Sequence, residues 1–341
     1  MRIYHLGDEG PEIKDIQRRL SELGAAVDAA EAEGSFGPST DVAVRIFQEQ
    51  RNLRVDGAVG PDTWGQLVEA GYRLGDRTLY LHSPNFRGDD VRALQRKLNV
   101  LGFDAGRQDG LFGPNTDRAL REFQRNVGDD SDGIAGPHVI ATLERMRPQE
   151  TAPSRALIRE EEELRQIRAS IEGTVVAIDP GETGGDGPIT FAMATSLHDE
   201  LLALGAKPAL ICGSDEDPTP SERARTANEL DASVCVSLRL GAGLPEAAGP
   251  TCSYFGSAST HSPGGMLLAQ LILEELEREF GRRGRLHRLT GALLRETRMP
   301  AVQIEPVFQT NRQEAAALTD PRFAERVGRS VARGVRRFYR D

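Results

Sequence analysis

The sequence predicts a multidomain fold in which two all-α, three-helix repeats precede an α/β domain with a mostly parallel sheet flanked by helices. Three observations lead to this prediction. Similar segments recur at a fixed offset in the first half of the chain, a charged and proline-containing stretch follows, and apolar strand-like runs then alternate with helical patterns after residue 173. With 341 residues, 38% of them hydrophobic, the chain can form two or three domains that each bury a core.

Four landmarks define the repeat. Phe-Gly-Pro at 36–38 recurs at 112–114, so the offset is 76 residues, and the same offset relates Phe-Gln at 47–48 to 123–124 and Asp-Gly with Gly-Pro at 56–61 to 132–137. In each copy apolar residues spaced i, i+3, i+4, i+7 predict a first helix, and two Gly-Pro pairs open a second and a third. We place the copies at 5–73 and 82–147. The first copy has two extra residues in its acidic loop, 29–33.

These motifs resemble the peptidoglycan-binding domain (type 1) family, which joins an L-Q-x-x-L-x-x-L-G helix, a G-x-F-G-x-x-T turn, an F-Q pair and a D-G-x-x-G-P-x-T-W-x-x-L close. The first copy matches the close through Trp64, whereas Val139 and Ile140 stand at the Thr-Trp positions of the second. The resemblance implies muropeptides or peptidoglycan fragments as ligands, with Phe36, Trp64 and Phe112 as candidate binding residues. Core packing of the same rings is the alternative interpretation.

Residues 148–172 are predicted to form a linker with a charged helix. Pro148 and Pro153 interrupt the helical pattern, and residues 159–165 read Arg-Glu-Glu-Glu-Glu-Leu-Arg, with few apolar anchors. Both a bare linker and a helix that docks a partner fit this composition.

Alternating strands and helices fill residues 173–341. Five apolar runs predict strands at 175–178, 208–212, 233–237, 252–255 and 302–304, and helical patterns lie near 190–204, 221–230, 264–280 and 320–339. Such alternation predicts a largely parallel sheet covered on both faces. Because sites in these sheets gather where strands end, the residues after Ile178, Val236 and Ile304 are the ones expected to carry function.

The residues at those strand ends resemble the zinc-dependent N-acetylmuramoyl-L-alanine amidase (type 3) family. The resemblance rests on an ordered series of segments: VVAIDPG at 175–181, VCVS at 234–237, and LLR at 293–295 leading to MPAVQIE at 299–305. In that family a D-P-G-H-G-G loop and an S-x-H-x-N strand end each give a zinc ligand, and an intervening Glu gives the third. A late Glu is the catalytic base, and zinc-bound water cleaves the amide between muramic acid and L-alanine.

This chain departs from the family at both histidine positions, where it has Glu182 and Arg239. Asp186 stands either at the middle Glu ligand or at the Asp of the preceding glycine-rich segment. Only Glu305 matches, at the position of the base. None of the six histidines lies at a position that the family uses.

The chemistry of the Arg239 side chain leads us to expect that zinc does not bind at the family site. Its guanidinium stays protonated and has no lone pair to donate to a metal. A fixed positive charge about 4 Å from a divalent cation costs roughly 8 kcal/mol at an effective dielectric constant of 20. We therefore expect no metal and no cofactor, with Arg239 pairing with Glu182, and with Glu305 as a further partner. An Arg239 that points into solvent without a partner is the alternative.

Charge and segment composition limit the partners. The chain has 42 Lys+Arg against 52 Asp+Glu, a net charge of −10, so a nucleic-acid backbone or an anionic membrane is not expected as its main partner. It has no apolar run of about 18 residues and no signal-peptide pattern at its beginning, which predicts a cytoplasmic protein without a membrane span. Three cysteines without C-x-x-C spacing predict buried reduced thiols.

The whole domain order resembles the CwlM-like proteins of actinobacteria. This resemblance implies a catalytically impaired amidase fold that regulates peptidoglycan precursor synthesis, chiefly through the enolpyruvyl transferase MurA as partner. The alternative is an active zinc amidase whose metal site is shifted to Glu182, Asp186 and a neighbouring histidine. A binder of free muropeptides is the third possibility.

Overall fold

The structure is a computed structural model, and it describes residues 2–146, 170–181, 187–214, 216–242, 247–257 and 260–339. Contacts between Cα atoms divide the chain into two compact units, one of which holds both repeats and the other the α/β domain. Of the predicted linker at 148–172, only residues 170–172 fall within the described ranges.

Each repeat is a three-helix unit. The first contains α1 (Pro11–Glu22), α2 (Pro38–Gln50) and α3 (Pro61–Glu69), and the second contains α4 (Asp89–Val100), α5 (Pro114–Val127) and α6 (Pro137–Arg145). A glycine precedes every one of these helices, and all except α4 begin with proline, whose fixed φ suits the first helical turn. The all-α prediction for this half of the chain is confirmed.

The motif glutamines of the repeats hold loops rather than facing solvent. Gln17 of α1 is buried, and its side-chain NH₂ donates to the carbonyls of Glu31 and Ser35 and to the Thr40 hydroxyl, at 2.8–2.9 Å. Gln95 makes the matching contacts in the second copy, to Asp109, Leu111 and Thr116. The L-Q segment therefore has a structural role in both repeats.

The described part of the α/β domain forms a six-stranded sheet. Its strands are β1 (Val175–Asp179), β2 (Lys207–Leu210), β3 (Val234–Leu238), β4 (Thr251–Phe255), β5 (Arg285–Leu289) and β6 (Ala301–Glu305), in the order β2-β1-β3-β6-β4-β5. All neighbouring pairs are parallel except β4 and β6. The mostly parallel sheet is therefore confirmed.

Helices cover both faces of this sheet. They are α7 (Gly187–Ala203), α8 (Pro220–Glu229), α9 (Pro263–Phe280), α10 (Ala292–Glu296), α11 (Arg312–Ala315) and α12 (Phe323–Phe338), with a 3₁₀ turn at Ala316–Thr319. α7, α9 and α12 bury their apolar residues against one face, and α8 and α10 cover the other. Strands β1, β3 and β6 lie between these two layers, and their buried side chains place the core at the centre of the sheet.

Candidate functional site

The site is built where three neighbouring parallel strands end. β1, β3 and β6 are adjacent in the sheet, so their carboxyl ends meet at one edge. Asp179 is the last residue of β1, Ser237 lies near the end of β3 with Arg239 just beyond it, and Glu305 is the last residue of β6. The strand ends expected from sequence to carry function are therefore brought together.

Asp179 is the centre of this edge. Its side chain is fully buried, and its two oxygens have different partners. The Arg223 guanidinium donates to Oδ1 at 2.5 Å, and the Ser237 hydroxyl donates to Oδ2 at 2.7 Å. Because both oxygens accept hydrogen bonds from other strands and helices, this carboxylate is held as a buried structural anion.

Arg223 reaches Asp179 from helix α8, and its own side chain is 1% exposed. Nε donates to the Pro218 carbonyl at 2.8 Å, and Nη2 donates to Asp217 Oδ1 at 3.1 Å. Nη1 also donates to the Gly181 carbonyl, which ties the loop after β1 to α8. A guanidinium can satisfy this many acceptors at once because its five N–H donors form a rigid fork.

Gly181 brings the loop after β1 close to β3. Its φ is +80°, and a Cβ there would lie 2.4 Å from the Leu238 carbonyl oxygen. Only glycine avoids both the left-handed strain and this clash. The Asp-Pro-Gly segment thus fixes the start of the loop in which the family places its first zinc ligand.

Arg239 lies against Asp179 rather than in open solvent. Its side chain is 13% exposed, and its Nη2 is 4.0 Å from Asp179 Oδ2. The solvent-facing alternative is therefore wrong, because β3 ends between β1 and β6 and directs the residue after it into the site. Asp179 is thus an ion-pair partner of Arg239 that the sequence hypothesis did not consider.

Of the three acidic residues predicted at the site, the structure describes only Glu305. Glu305 is 8% exposed and lies at the site edge, at the end of β6. Glu182 and Asp186 lie outside the described residues, so their predicted roles stay predictions. Asp179, Arg223 and Ser237 were missed as site residues. A usable signal was an aspartate closing a buried apolar strand, since buried carboxylates require a partner.

The residues that are described do not fit a zinc ion at the family position. Arg239, which the sequence resemblance assigns to the second histidine position, has no lone pair to offer. The Asp179 carboxylate already accepts hydrogen bonds from Arg223 and Ser237. Within the described ranges, no group of three His, Cys, Asp or Glu side chains is arranged to hold a metal ion.

The three cysteines do not add a nucleophile to this edge. Cys212, Cys235 and Cys252 are free and buried. Burial raises the pKa of each thiol, so the reactive thiolate form is disfavoured. The predicted buried reduced thiols agree with these positions.

The three aromatic residues proposed to bind ligands in the repeats differ in how deeply they are buried. Phe36 is 1% exposed and Phe112 is fully buried, so both rings pack in the cores of their repeats and cannot stack on a sugar. Their proposed role in ligand binding is corrected accordingly. Trp64 is half-buried, and the Arg19 guanidinium lies over its ring at 5.2 Å from the centroid.

Fold and site together define an amidase-like α/β domain preceded by two peptidoglycan-binding-like repeats. Comparison with known proteins supports both parts. The pattern described as N-acetylmuramoyl-L-alanine amidase matches residues 176–337, and that described as putative peptidoglycan binding domain matches 9–67 and 87–143. The chain belongs to the N-acetylmuramoyl-L-alanine amidase family.

Among its relatives is the N-acetylmuramoyl-L-alanine amidase CwlM of Mycobacterium tuberculosis, 35% identical over 98% of this chain and 88% of the relative. The predicted CwlM-like architecture is confirmed. CwlL of Bacillus licheniformis, also named an N-acetylmuramoyl-L-alanine amidase, is 32% identical over 41% of this chain and 45% of its own. The solved structure of Ami1 from Mycobacterium smegmatis is 22% identical, with a TM-score of 0.45 over 50% of this chain and 98% of Ami1.

None of the helices in the described ranges combines the length and the apolar character needed to span a bilayer.

Proposed function

We propose that this chain is a catalytically impaired amidase-fold protein that regulates peptidoglycan precursor synthesis in the cytoplasm through binding. One observation carries the proposal. Arg239, which the sequence resemblance assigns to the second histidine position, lies 4.0 Å from the buried carboxylate of Asp179. A permanent cation there disfavours a divalent ion and leaves the family's water-activating chemistry without its metal.

The first test measures metal and hydrolysis on the full chain. After purification with zinc supplied, we expect far less than one zinc per protein and no release of L-alanine-linked peptide from peptidoglycan. The double variant Glu182→His/Arg239→His restores both family imidazoles and is expected to gain zinc, whereas Arg239→Lys, which keeps the charge, is the matched control and is not.

Two results decide between the proposal and an active enzyme. Near-stoichiometric zinc together with peptide release from the unsubstituted protein contradicts the proposal and establishes a working amidase with a shifted metal site. Zinc uptake by the Arg239→Lys variant shows instead that the positive charge is not what excludes the ion.

The proposed partner is a MurA-like enolpyruvyl transferase. The support for it is the relationship to CwlM over 98% of this chain, which covers the repeats as well as the amidase domain. We expect the purified protein to bind the transferase in isothermal titration calorimetry and to change its turnover. No binding and no change in turnover contradict this partner, while saturable binding of muropeptides alone supports a muropeptide binder.

A further inference from the structure

Strand β5 forms an open edge of the sheet. Among the described residues it is the terminal strand of the sheet and pairs with β4 alone. The Arg285 N–H donates to the Pro250 carbonyl at 2.9 Å, and the Gly256 N–H donates to the Leu289 carbonyl at 3.0 Å. In a parallel pair alternate residues face the neighbouring strand, so the backbone groups of Leu286 and Arg288 face away from β4.

These outward groups are open to a partner. Arg285, Leu286, His287 and Arg288 are all exposed, with Leu286 at 39%. Within the described ranges, no other group of the chain makes a hydrogen bond to the backbone N–H or C=O of Leu286 or Arg288. An edge with free donors and acceptors is a template for a further strand.

The same edge is basic in an acidic protein. Residues 282–288 contain four arginines, whereas the whole chain has a net charge of −10. Arg282 is 3.4 Å from Glu314. In the described part of the chain Arg283, Arg285 and Arg288 have no carboxylate partner; Arg285 donates to the Ala248 carbonyl and Arg288 to the Tyr254 hydroxyl. These three guanidinium groups keep their positive charge available at the edge.

Charge also determines which strand can add. A second copy of β5 would bring a second set of these arginines to the same edge, and like charges close together across a strand pair are destabilising. An acidic strand would instead place carboxylates beside the uncompensated guanidinium groups. The basic residues on the β5 edge thus disfavour pairing with a second copy of β5 and favour an acidic strand.

We propose that β5 is a docking edge for an extended acidic segment of a partner protein, which adds to the sheet as a seventh strand. Its backbone pairs with Leu286 and Arg288, and its carboxylates contact Arg283 and Arg288. This inference concerns the sheet edge alone and stands whether or not the protein hydrolyses peptidoglycan.

The test uses the full chain and a fluorescent peptide of about ten residues that alternates Val and Glu, followed by anisotropy. We expect saturable binding that weakens about tenfold in the variant Arg283→Glu/Arg288→Glu. Arg333→Glu is the matched control, because Arg333 is an exposed arginine on α12 that makes no ion pair with the described residues, and it is expected to leave binding unchanged.

Backbone pairing is tested separately from charge. A peptide of the same sequence with N-methyl groups at alternate positions cannot form the strand ladder, and we expect it not to bind. Leu286→Pro removes an outward N–H without removing a bond to β4, and it is expected to reduce binding while circular dichroism stays unchanged.

Several outcomes overturn the proposal. Equal binding of the N-methylated peptide shows simple charge attraction without strand addition. A dimer in sedimentation that Leu286→Pro abolishes assigns the edge to a second copy. Capture by anionic vesicles that Arg283→Glu/Arg288→Glu abolishes, with no peptide binding, assigns it to a membrane surface.

Discussion

Two arginines from different elements lie at the carboxylate of Asp179. Arg223 is buried and bonds to it directly, whereas Arg239 is partly exposed and lies 4.0 Å away. Asp179 is therefore compensated by protein cations. Arg239 adds a second positive charge to this edge of the sheet.

Removing the Arg223 guanidinium should destabilise the α/β domain strongly. Arg223→Ala leaves Asp179 buried without its main partner, and we expect a loss of about 3–5 kcal/mol in the free energy of unfolding. Arg223→Lys should recover little, because an ammonium cannot reach the Asp179, Asp217 and Pro218 acceptors together. Urea unfolding measures both variants, and a loss under 1 kcal/mol for Arg223→Ala contradicts this role.

Glu31 in the longer acidic loop of the first repeat should give that repeat acid-sensitive stability. Burial by itself raises the pKa of this carboxyl, but hydrogen bonds from the backbone and hydroxyl groups of Ser39 and Thr40 outweigh burial and lower the pKa to about 2 from 4.5. A carboxyl group whose pKa is lower in the folded than in the unfolded state stabilises the fold at pH values above its unfolded-state pKa. This stabilisation is lost as the pH falls through the folded-state pKa.

We therefore expect Glu31→Gln to be less stable than the unsubstituted chain at pH 7, with the difference shrinking between about pH 4.5 and pH 2. Urea unfolding at a series of pH values measures it. Glu33, whose side chain is 83% exposed, provides the control Glu33→Gln, for which no such pH-dependent difference is expected. A difference that stays constant down to pH 2 rules out Glu31 as the source.

At the scale of elements, the motif glutamines explain why the repeats share a pattern. Gln48 on α2 donates to Asp56, Ala58 and Thr63, and accepts from the Gly57 N–H at 2.9 Å. Gln124 holds the corresponding Asp-Gly turn in the second copy. The F-Q and D-G parts of the motif therefore form one unit of helix and turn.

Replacing Gln48 should loosen this unit. Gln48→Ala leaves several buried polar groups without partners, and we expect a loss of about 2–4 kcal/mol in the free energy of unfolding. Gln50→Ala, an exposed position on the same helix, is the control and should change stability by under about 0.5 kcal/mol. Equal effects at both positions in urea unfolding contradict the structural role of Gln48.

The hydrophobic pattern of the sequence did not predict strand β5. The predicted strands were all apolar runs, of which β1, β3, β4 and β6 are mostly buried and β2 is half-buried. Residues 285–289 instead read Arg-Leu-His-Arg-Leu and are mostly exposed. Its pairing with β4 rests on backbone bonds that any side chains permit. An edge strand of this kind carries little hydrophobic signal, so the sequence did not predict it.

At the scale of the whole molecule, the repeats form one unit through charges that join them. Arg51, just after α2, makes a bidentate pair with Asp89 at the start of α4, at 2.9 and 2.8 Å. Arg77, between the copies, pairs with the buried Asp90 at 2.7 Å and lies over the Tyr72 ring. Such contacts fix the second copy against the first.

The Arg51–Asp89 pair should couple the two copies measurably. A double-mutant cycle with Arg51→Ala and Asp89→Asn is expected to give a coupling energy of about 1 kcal/mol, because the pair is only partly exposed and has two parallel bonds. The coupling energy should fall at about 1 M salt, because salt screens the two charges. The exposed Lys14–Glu33 pair supplies a control cycle near zero. Equal coupling in both cycles contradicts a specific joint between the repeats.

The sequence by itself determined the order of the domains, the helical repeats and the buried strands, because repeat spacing and apolar periodicity are local properties. Only the tertiary structure decided that Arg239 lies beside Asp179, that Arg223 compensates this carboxylate, and that Phe36 and Phe112 are core residues. Those outcomes depend on which strand ends become neighbours in the sheet and which helix packs over them, and contacts of this kind join residues tens of positions apart.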